Sequence, residues 1–260
     1  MTPDEFDAVD RYLCQSLVPE DATLSQARET AARLGLPDHH VAPNQGSMLM
    51  RLALTARARR ILEVGTLGGY STLWLARALA PGGTIDTLEI DRTHIRCALA
   101  NFERADLENR IALHPGPARE TLARFIHEGV DAYDFIFIDA DKPNNPHYLE
   151  AALALSHPGT LILVDNVVRD GEVANRESDD PRVRGVRKML EMIRDEPRLH
   201  ATAVQTVGSM GWDGFALLYV VDACSAVPSS PSRGSRSELD MTPIPGHPAR
   251  TQLECPILRL

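Results

Sequence analysis

The chain has 260 residues, 43% of them apolar, and 36 Asp and Glu against 27 Lys and Arg give it a formal net charge of −9. That length and apolar share suit one medium-sized domain with a real core, and the negative balance excludes the broad basic footprint of a nucleic-acid binder. Four cysteines, Cys14, Cys97, Cys224 and Cys255, show no C-x-x-C spacing, so neither a disulfide framework nor a zinc site is expected. The acidic segment Met1–Asp10 lacks the apolar stretch of a signal peptide, and no apolar run reaches membrane-spanning length. The expectation is a cytoplasmic protein with reduced thiols and no membrane partner.

Phe6, Val9, Leu13 and Leu17 recur at helical spacing and predict a helix over 4–16. A second helix over 24–35 stops at Gly35 and Pro37, and a third over 45–57 buries Met48, Leu49, Leu52 and Ala53. Strands and helices then alternate. The strand Arg60–Val64 leads into a helix over Ser71–Leu79 that ends at Pro81, Gly82 and Gly83. The strand Thr84–Glu89 precedes a helix marked by Ile95, Leu99 and Phe102. The strand Arg110–Leu113 precedes one marked by Leu122, Phe125 and Ile126. Asp134–Ile138 is the most apolar strand and is placed centrally. Its helix carries Tyr148, Leu149, Ala152 and Leu155 and ends at Pro158 and Gly159, before a strand over Thr160–Val164. Asp180 followed by Pro181 starts another helix, whose buried face is Val183, Val186, Leu190 and Ile193. Ala201–Val207 and Phe215–Val221 are joined by Gly208–Asp213, too short for a helix, and form an antiparallel hairpin.

Five β/α units and a terminal hairpin predict an α/β fold: a doubly wound, mostly parallel sheet with helices on both faces. The domain covers 1–222. Residues 223–260 shift to Pro, Ser, Arg and Gly without periodicity and are expected to be a disordered tail.

In open α/β sheets, ligands bind beyond the carboxyl ends of the strands, near the point where the strand order reverses. The first such segment, Glu63–Ser71, contains Gly65, Gly68 and Gly69 and fits the dinucleotide pattern G-x-G-x-x-G poorly. Glu63 is wrong for a pyrophosphate and suits a cationic group such as the amino group of a methionine moiety; an ordinary strand-to-helix turn is the plain alternative. Glu89 ends the second strand and can accept both hydroxyls of an adenosine ribose, in a nicotinamide cofactor or in S-adenosylmethionine alike, with Asp91 as competitor. Gly116–Ala118 reads alone as a turn. Asp139 follows the central strand, and Asp165 and Asn166 follow its neighbour. Three oxygen ligands suit Mg²⁺, Mn²⁺ or Ca²⁺ rather than zinc and leave positions open for water or substrate. Two acidic loop residues capping helices are the alternative. Lys142 can serve as a general base if burial beside a cation lowers its pKa, or be a solvated surface charge.

Taken together and in order, Ile61–Gly65, Gly69–Thr72, Thr87–Asp91, Gly116–Ala118, Phe137–Lys142, Val164–Asn166 and Gln205–Gly208 carry a resemblance. Over about residues 4–221 the chain resembles the cation-dependent O-methyltransferases, the group that includes catechol and caffeoyl-coenzyme A O-methyltransferases, and most of all their bacterial members. The resemblance implies the Rossmann-like fold of class I S-adenosylmethionine-dependent methyltransferases. It implies a divalent cation, Mg²⁺ foremost, on Asp139, Asp165 and Asn166, with Lys142 as base. It assigns Glu63, Gly65, Thr66 and Ser71 to the methionine end of S-adenosylmethionine, Glu89 to its ribose and Ala118 to its adenine. It adds Asp141 beside the methionine part, Val41 as a further cofactor contact and Asp170 at the substrate edge. The implied partner is a small hydroxylated acceptor, and the implied assembly a homodimer. Leu67 and Gly68 depart from the pattern, standing where related chains often carry an aromatic residue and Thr or Ser.

A nicotinamide-dependent dehydrogenase leaves Glu63, the oxygen trio and the hairpin unexplained. A non-catalytic relative is opposed by the presence of Asp139, Lys142, Asp165 and Asn166 together. The acceptor pocket is expected between the N-terminal helices, the loop 167–180 and the hairpin loop 208–213, with Trp212 and Met210 either lining it or packing within the hairpin.

Overall fold

The computed structural model describes residues 3–18 and 20–222; the expected tail 223–260 lies outside the described residues. Three helices, α1 (Pro3–Leu17), α2 (Ala22–Arg33) and α3 (Pro43–Thr55), precede the sheet. Its strands are β1 (Arg60–Val64), β2 (Thr84–Glu89), β3 (Ile111–Pro115), β4 (Tyr133–Ile138), β5 (Ser156–Asp165), β6 (Leu199–Gly208) and β7 (Gly211–Val220). Between them run α4 (Tyr70–Ala76), α5 (Arg92–Arg104), α6 (Ala118–Glu128), α7 (Asn145–Ala154) and α8 (Pro181–Asp195). Carboxylate caps set several of the starts: Asp21, Asp91 and Asp180 each accept a backbone N–H from the first turn of the helix that follows.

The sheet order is β3-β2-β1-β4-β5-β7-β6, parallel from β3 to β5, with β7 antiparallel to β5 and β6 antiparallel to β7. The doubly wound sheet is as the alternation predicts. The chain winds outward from β1 through β2 to β3, then returns to β4 beside β1, so the strand order reverses between β1 and β4. Two apolar clusters lie on the two faces. Leu62, Val64, Ile136 and Ile138 join Leu122, Leu149 and Val186 on one; Ile61, Phe135 and Phe137 join Leu49, Leu73 and Phe102 on the other.

Several boundaries differ from expectation. α4 stops at Ala76 because the chain tightens into i→i−3 bonds at Arg77, Ala78 and Leu79, and the Ala80 N–H then pairs with Ala58 O. β5 begins at Ser156, and Pro158 and Gly159 lie inside it rather than ending the preceding helix. Its pairing jumps from Tyr133↔Ser156 to Phe135↔Leu161, and the Thr160 hydroxyl closes the irregular stretch by donating to Tyr133 O at 2.6 Å. Leu99 and Ile126, expected to mark helix faces, are exposed; α5 buries Phe102 as expected, together with Cys97, Ala98 and Asn101. The hairpin loop 208–213 is only the two-residue turn Ser209–Met210, and Trp212 and Asp213 pair within the ladder. Among the described residues, no helix is long and apolar enough to cross a membrane.

Candidate active site

The crevice between β1 and β4 is closed at its floor by one glycine. Gly65 has φ +101, and a Cβ there would stand 2.1 Å from the Asp139 carbonyl oxygen. Its N–H reaches Leu88 O, and the Asp139 N–H reaches Val64 O at 2.9 Å. The first residue after β1 and the first after β4 are therefore in backbone contact, which only glycine permits.

On the β1–β2 side the site is held by hydroxyls and backbone amides. Glu63 is fully buried, and Ser71 Oγ (2.7 Å), Thr72 Oγ1 and Thr87 Oγ1 (2.6 Å) all donate to it. Burial pushes its carboxyl up to about 7; the three hydroxyls pull it down and Asp139 pushes it further up. The buried Thr66 shares a hydrogen bond with Thr87 at 2.6 Å. Glu89 is 9% exposed and accepts the N–H of Leu67 (2.8 Å), Ile90 and Asp91 (both 2.9 Å), with the His94 ring at 3.4 Å. Asp91, the competing candidate, is instead the cap of α5, accepting from Thr93 and His94. Gly116, just before Ala118, has φ +120 and faces open space: a Cβ there would meet nothing within 4 Å. Val41 is buried against the cluster that contains Tyr70 and Trp74. Asn101 was not singled out by sequence; its amide holds the glycine loop by donating to Gly68 O at 2.8 Å.

On the β4–β5 side the site is made of charge. Lys142 is buried and donates to Asp139 Oδ1 at 2.9 Å. The turn that carries it is pressed against α8 at Gly185, where a Cβ would stand 2.2 Å from Lys142 O. Asp165, 5% exposed, accepts the Asn166 N–H at 2.8 Å on Oδ1 and Gln45 Nε2 at 2.6 Å on Oδ2. Burial and the neighbouring Asp139 charge push Asp165 up to about 7, against the pull of Lys142 and the two donors. Asn166 follows with φ +57, in the left-handed region that Asn tolerates. Asp141 is exposed and accepts from the Tyr148 hydroxyl and the Asn144 amide.

Asp170 is exposed, with its N–H on Trp212 O. The loop between β5 and α8 is tied to the hairpin by Asp213, whose Oδ1 accepts the N–H of Val168 (2.9 Å) and Arg169 (3.1 Å). Trp212 packs on Gly171, where a Cβ would stand 2.7 Å from the indole, and Met210 is 45% exposed at the hairpin tip. By sequence Asp213 lies in the hairpin loop, and nothing near it in the chain signals this role.

The donors fit a hard divalent cation. The Asp139 charge raises the cost of ionising Asp165, and Asn166, next in the chain, brings a carboxamide as a third oxygen donor. Each oxygen of Asp165 carries one donor and so keeps a lone-pair direction for an ion. Among the described residues, no group of three or more His, Cys, Asp or Glu could hold a metal, so a cation here would need a donor beyond the two carboxylates, and the Asn166 amide is of the right kind.

A family model described as O-methyltransferase matches residues 15–218. The chain is 44% identical over 215 residues, 83% of its length and 97% of the relative's, to a catechol O-methyltransferase from Niastella koreensis. It is similar to the O-methyltransferase from Bacillus cereus solved with S-adenosylhomocysteine, at a TM-score of 0.83 and 50% identity, covering 84% of this chain and 100% of the other. It is also similar to the O-methyltransferase TomG from Streptomyces achromogenes, involved in tomaymycin synthesis and solved with S-adenosylmethionine. There the TM-score is 0.82 and the identity 40%, over 85% and 100% of the two chains.

Proposed function

From the premise that this chain belongs to the S-adenosylmethionine-dependent O-methyltransferase family, we propose that it is a divalent-metal-assisted enzyme that methylates a hydroxyl of a small catechol-like or polyhydroxylated acceptor. The observation that carries the reading is the convergence of Asp139, Lys142, Asp165 and Asn166 at the carboxyl ends of β4 and β5, in backbone contact at Asp139 with the Gly65 loop.

Asp139, Asp165 and Asn166 would hold the cation. When bound, the cation would lower the pKa of a coordinated hydroxyl, and S-adenosylmethionine would present an electrophilic methyl on its sulfonium. Glu63 balances the positive methionine end from beneath the loop while Gly65, Thr66 and Ser71 shape the turn around it. Glu89 is set for the ribose because three backbone amides fix its carboxylate. Ala118 would line the adenine side, which the open space at Gly116 supports; Val41 would close the cofactor side and Asp141 would face the methionine part. As the neutral amine, Lys142 would take the acceptor's hydroxyl proton at Nζ, which Asp139 orients. Alignment of acceptor and donor then supplies much of the rate. A vicinal diol fits best, because two adjacent oxygens can occupy two open positions on one ion. Asp170, Trp212 and Met210 border the acceptor side.

The edge strand β6 is exposed along most of its length, and α1 leaves Val9, Tyr12, Leu13 and Leu17 exposed. These surfaces support a homodimer; a monomeric mass by light scattering at working concentration would remove that part of the reading.

The reaction is tested by methyl transfer from labelled S-adenosylmethionine to a panel of catechols with Mg²⁺ and then with EDTA. The expected result is transfer that EDTA abolishes. Transfer unaffected by EDTA would keep the methyltransferase and remove the metal.

A further inference from the structure

We infer that Gln45 is a positioning residue for the cation site: its side-chain amide fixes the Asp165 carboxylate in the orientation that binds the ion. This rests on the reading of Asp165 as a ligand. Gln45 lies in the first turn of α3, 120 residues away in sequence, and its Nε2 donates to Asp165 Oδ2 at 2.6 Å. The other oxygen, Oδ1, takes the Asn166 N–H. A carboxylate at the end of a strand can rotate about its last torsion. With one donor on each oxygen, rotation breaks a hydrogen bond, and the remaining lone pairs keep fixed directions.

Gln45 is itself held from behind. Its N–H donates to Asn44 Oδ1 at 2.8 Å, and the Asn44 amide donates to Asp10 Oδ1 on α1. Asp10 is 8% exposed, and its second oxygen accepts both the N–H and the hydroxyl of Ser209 at the hairpin tip, each at 3.1 Å. A Cβ at Gly208 would stand 2.4 Å from that same oxygen. The backbone that delivers Gln45 is thus fixed by α1 and the β6–β7 turn. A glutamine in a helix's first turn needs no such anchoring for helix formation; the anchoring is explained by the carboxylate it reaches.

The test is Mn²⁺ binding to the full chain, measured by loss of the free-ion paramagnetic resonance signal, with S-adenosylhomocysteine affinity measured on the same samples. Gln45→Met keeps the side chain's length and removes the donor; Gln45→Ala removes both; Asp165→Asn is the control. We expect Mn²⁺ affinity to fall about 10- to 100-fold in both Gln45 variants, with S-adenosylhomocysteine affinity unchanged. Wild-type Mn²⁺ affinity in Gln45→Met, together with loss in Asp165→Asn, overturns the inference and leaves the metal site standing. No Mn²⁺ binding by the wild type, or undiminished binding by Asp165→Asn, overturns the metal site and the inference with it. An equal fall in S-adenosylhomocysteine affinity shows a general structural role and also overturns it.

Discussion

The two sides of the β1–β4 crevice are built by different physics. At the ends of β1 and β2, a buried carboxylate takes three hydroxyls, a second takes three backbone amides, and glycines let the chain turn close to its neighbours. At the ends of β4 and β5, two carboxylates and a lysine face one another, and their support comes from distant elements: Gln45 of α3 donates to Asp165, the α8 backbone at Gly185 presses on the Lys142 turn, and Asp213 of β7 holds the loop that follows β5. The first side is a fixed cradle, largely satisfied by its own neighbours. The second sets two carboxylates against one lysine, an excess of negative charge that a bound cation would offset. Substitutions on the two sides should therefore separate cofactor binding from chemistry.

The largest effect is expected where the two sides touch. Gly65→Val places a side chain at φ +101 and against Asp139 O, and should cost about 3 kcal/mol or more in urea unfolding. It should lose cofactor binding and turnover together. A variant that still binds S-adenosylhomocysteine normally would show that the contact is not tight. Lys142→Ala acts on one side only. Turnover should fall about 10²- to 10⁴-fold, while S-adenosylhomocysteine affinity, read by calorimetry, stays within about threefold. Full activity at neutral pH would rule out Lys142 as the base.

Asp10→Ala leaves the Asn44 amide and both Ser209 donors without their acceptor, a loss of about 1–3 kcal/mol. Its signature in steady-state kinetics should be a raised KM for the acceptor with the S-adenosylmethionine KM little changed. The smallest effect is a pH dependence on the cofactor side. Glu63 sits raised to about 7 in the free protein, so below that pH it is mostly protonated. A cationic methionine end favours the carboxylate, so binding releases a proton and S-adenosylhomocysteine affinity should rise between pH 6 and 8, by less than tenfold per unit. Glu63→Gln should bind more weakly and with a flatter profile; an equally steep profile in that variant would assign the titration elsewhere.

The same division governs what can be read from the sequence. The alternation of apolar strands with helical periodicity is local, so the doubly wound sheet and the terminal hairpin follow from it. Glu63, Gly65, Glu89, Asp139 and Asp165 sit at strand ends, where the fold rule alone directs attention. The supporting contacts are different, because they join residues far apart in the chain. Gln45 reads as a polar residue at a helix start, and nothing near it points to Asp165. Asp10 reads as the solvated face of an amphipathic helix, yet its partner Ser209 lies 199 residues away. Pro158 and Gly159 carry the local signal of a break and are overridden by strand pairing on both sides of them. Leu99 and Ile126 look like core residues by type, but the face each helix buries is set by what it packs against.

The most direct test of the account is Asp165→Asn, assayed for labelled methyl transfer to a catechol in the presence of Mg²⁺ and, on the same sample, for S-adenosylhomocysteine binding. The account predicts transfer reduced about a thousandfold or more, equivalent to about 4 kcal/mol of transition-state stabilisation, with S-adenosylhomocysteine bound nearly as tightly as by the wild type. Transfer at the wild-type rate would contradict it, because the charged side of the crevice would then have no part in the chemistry.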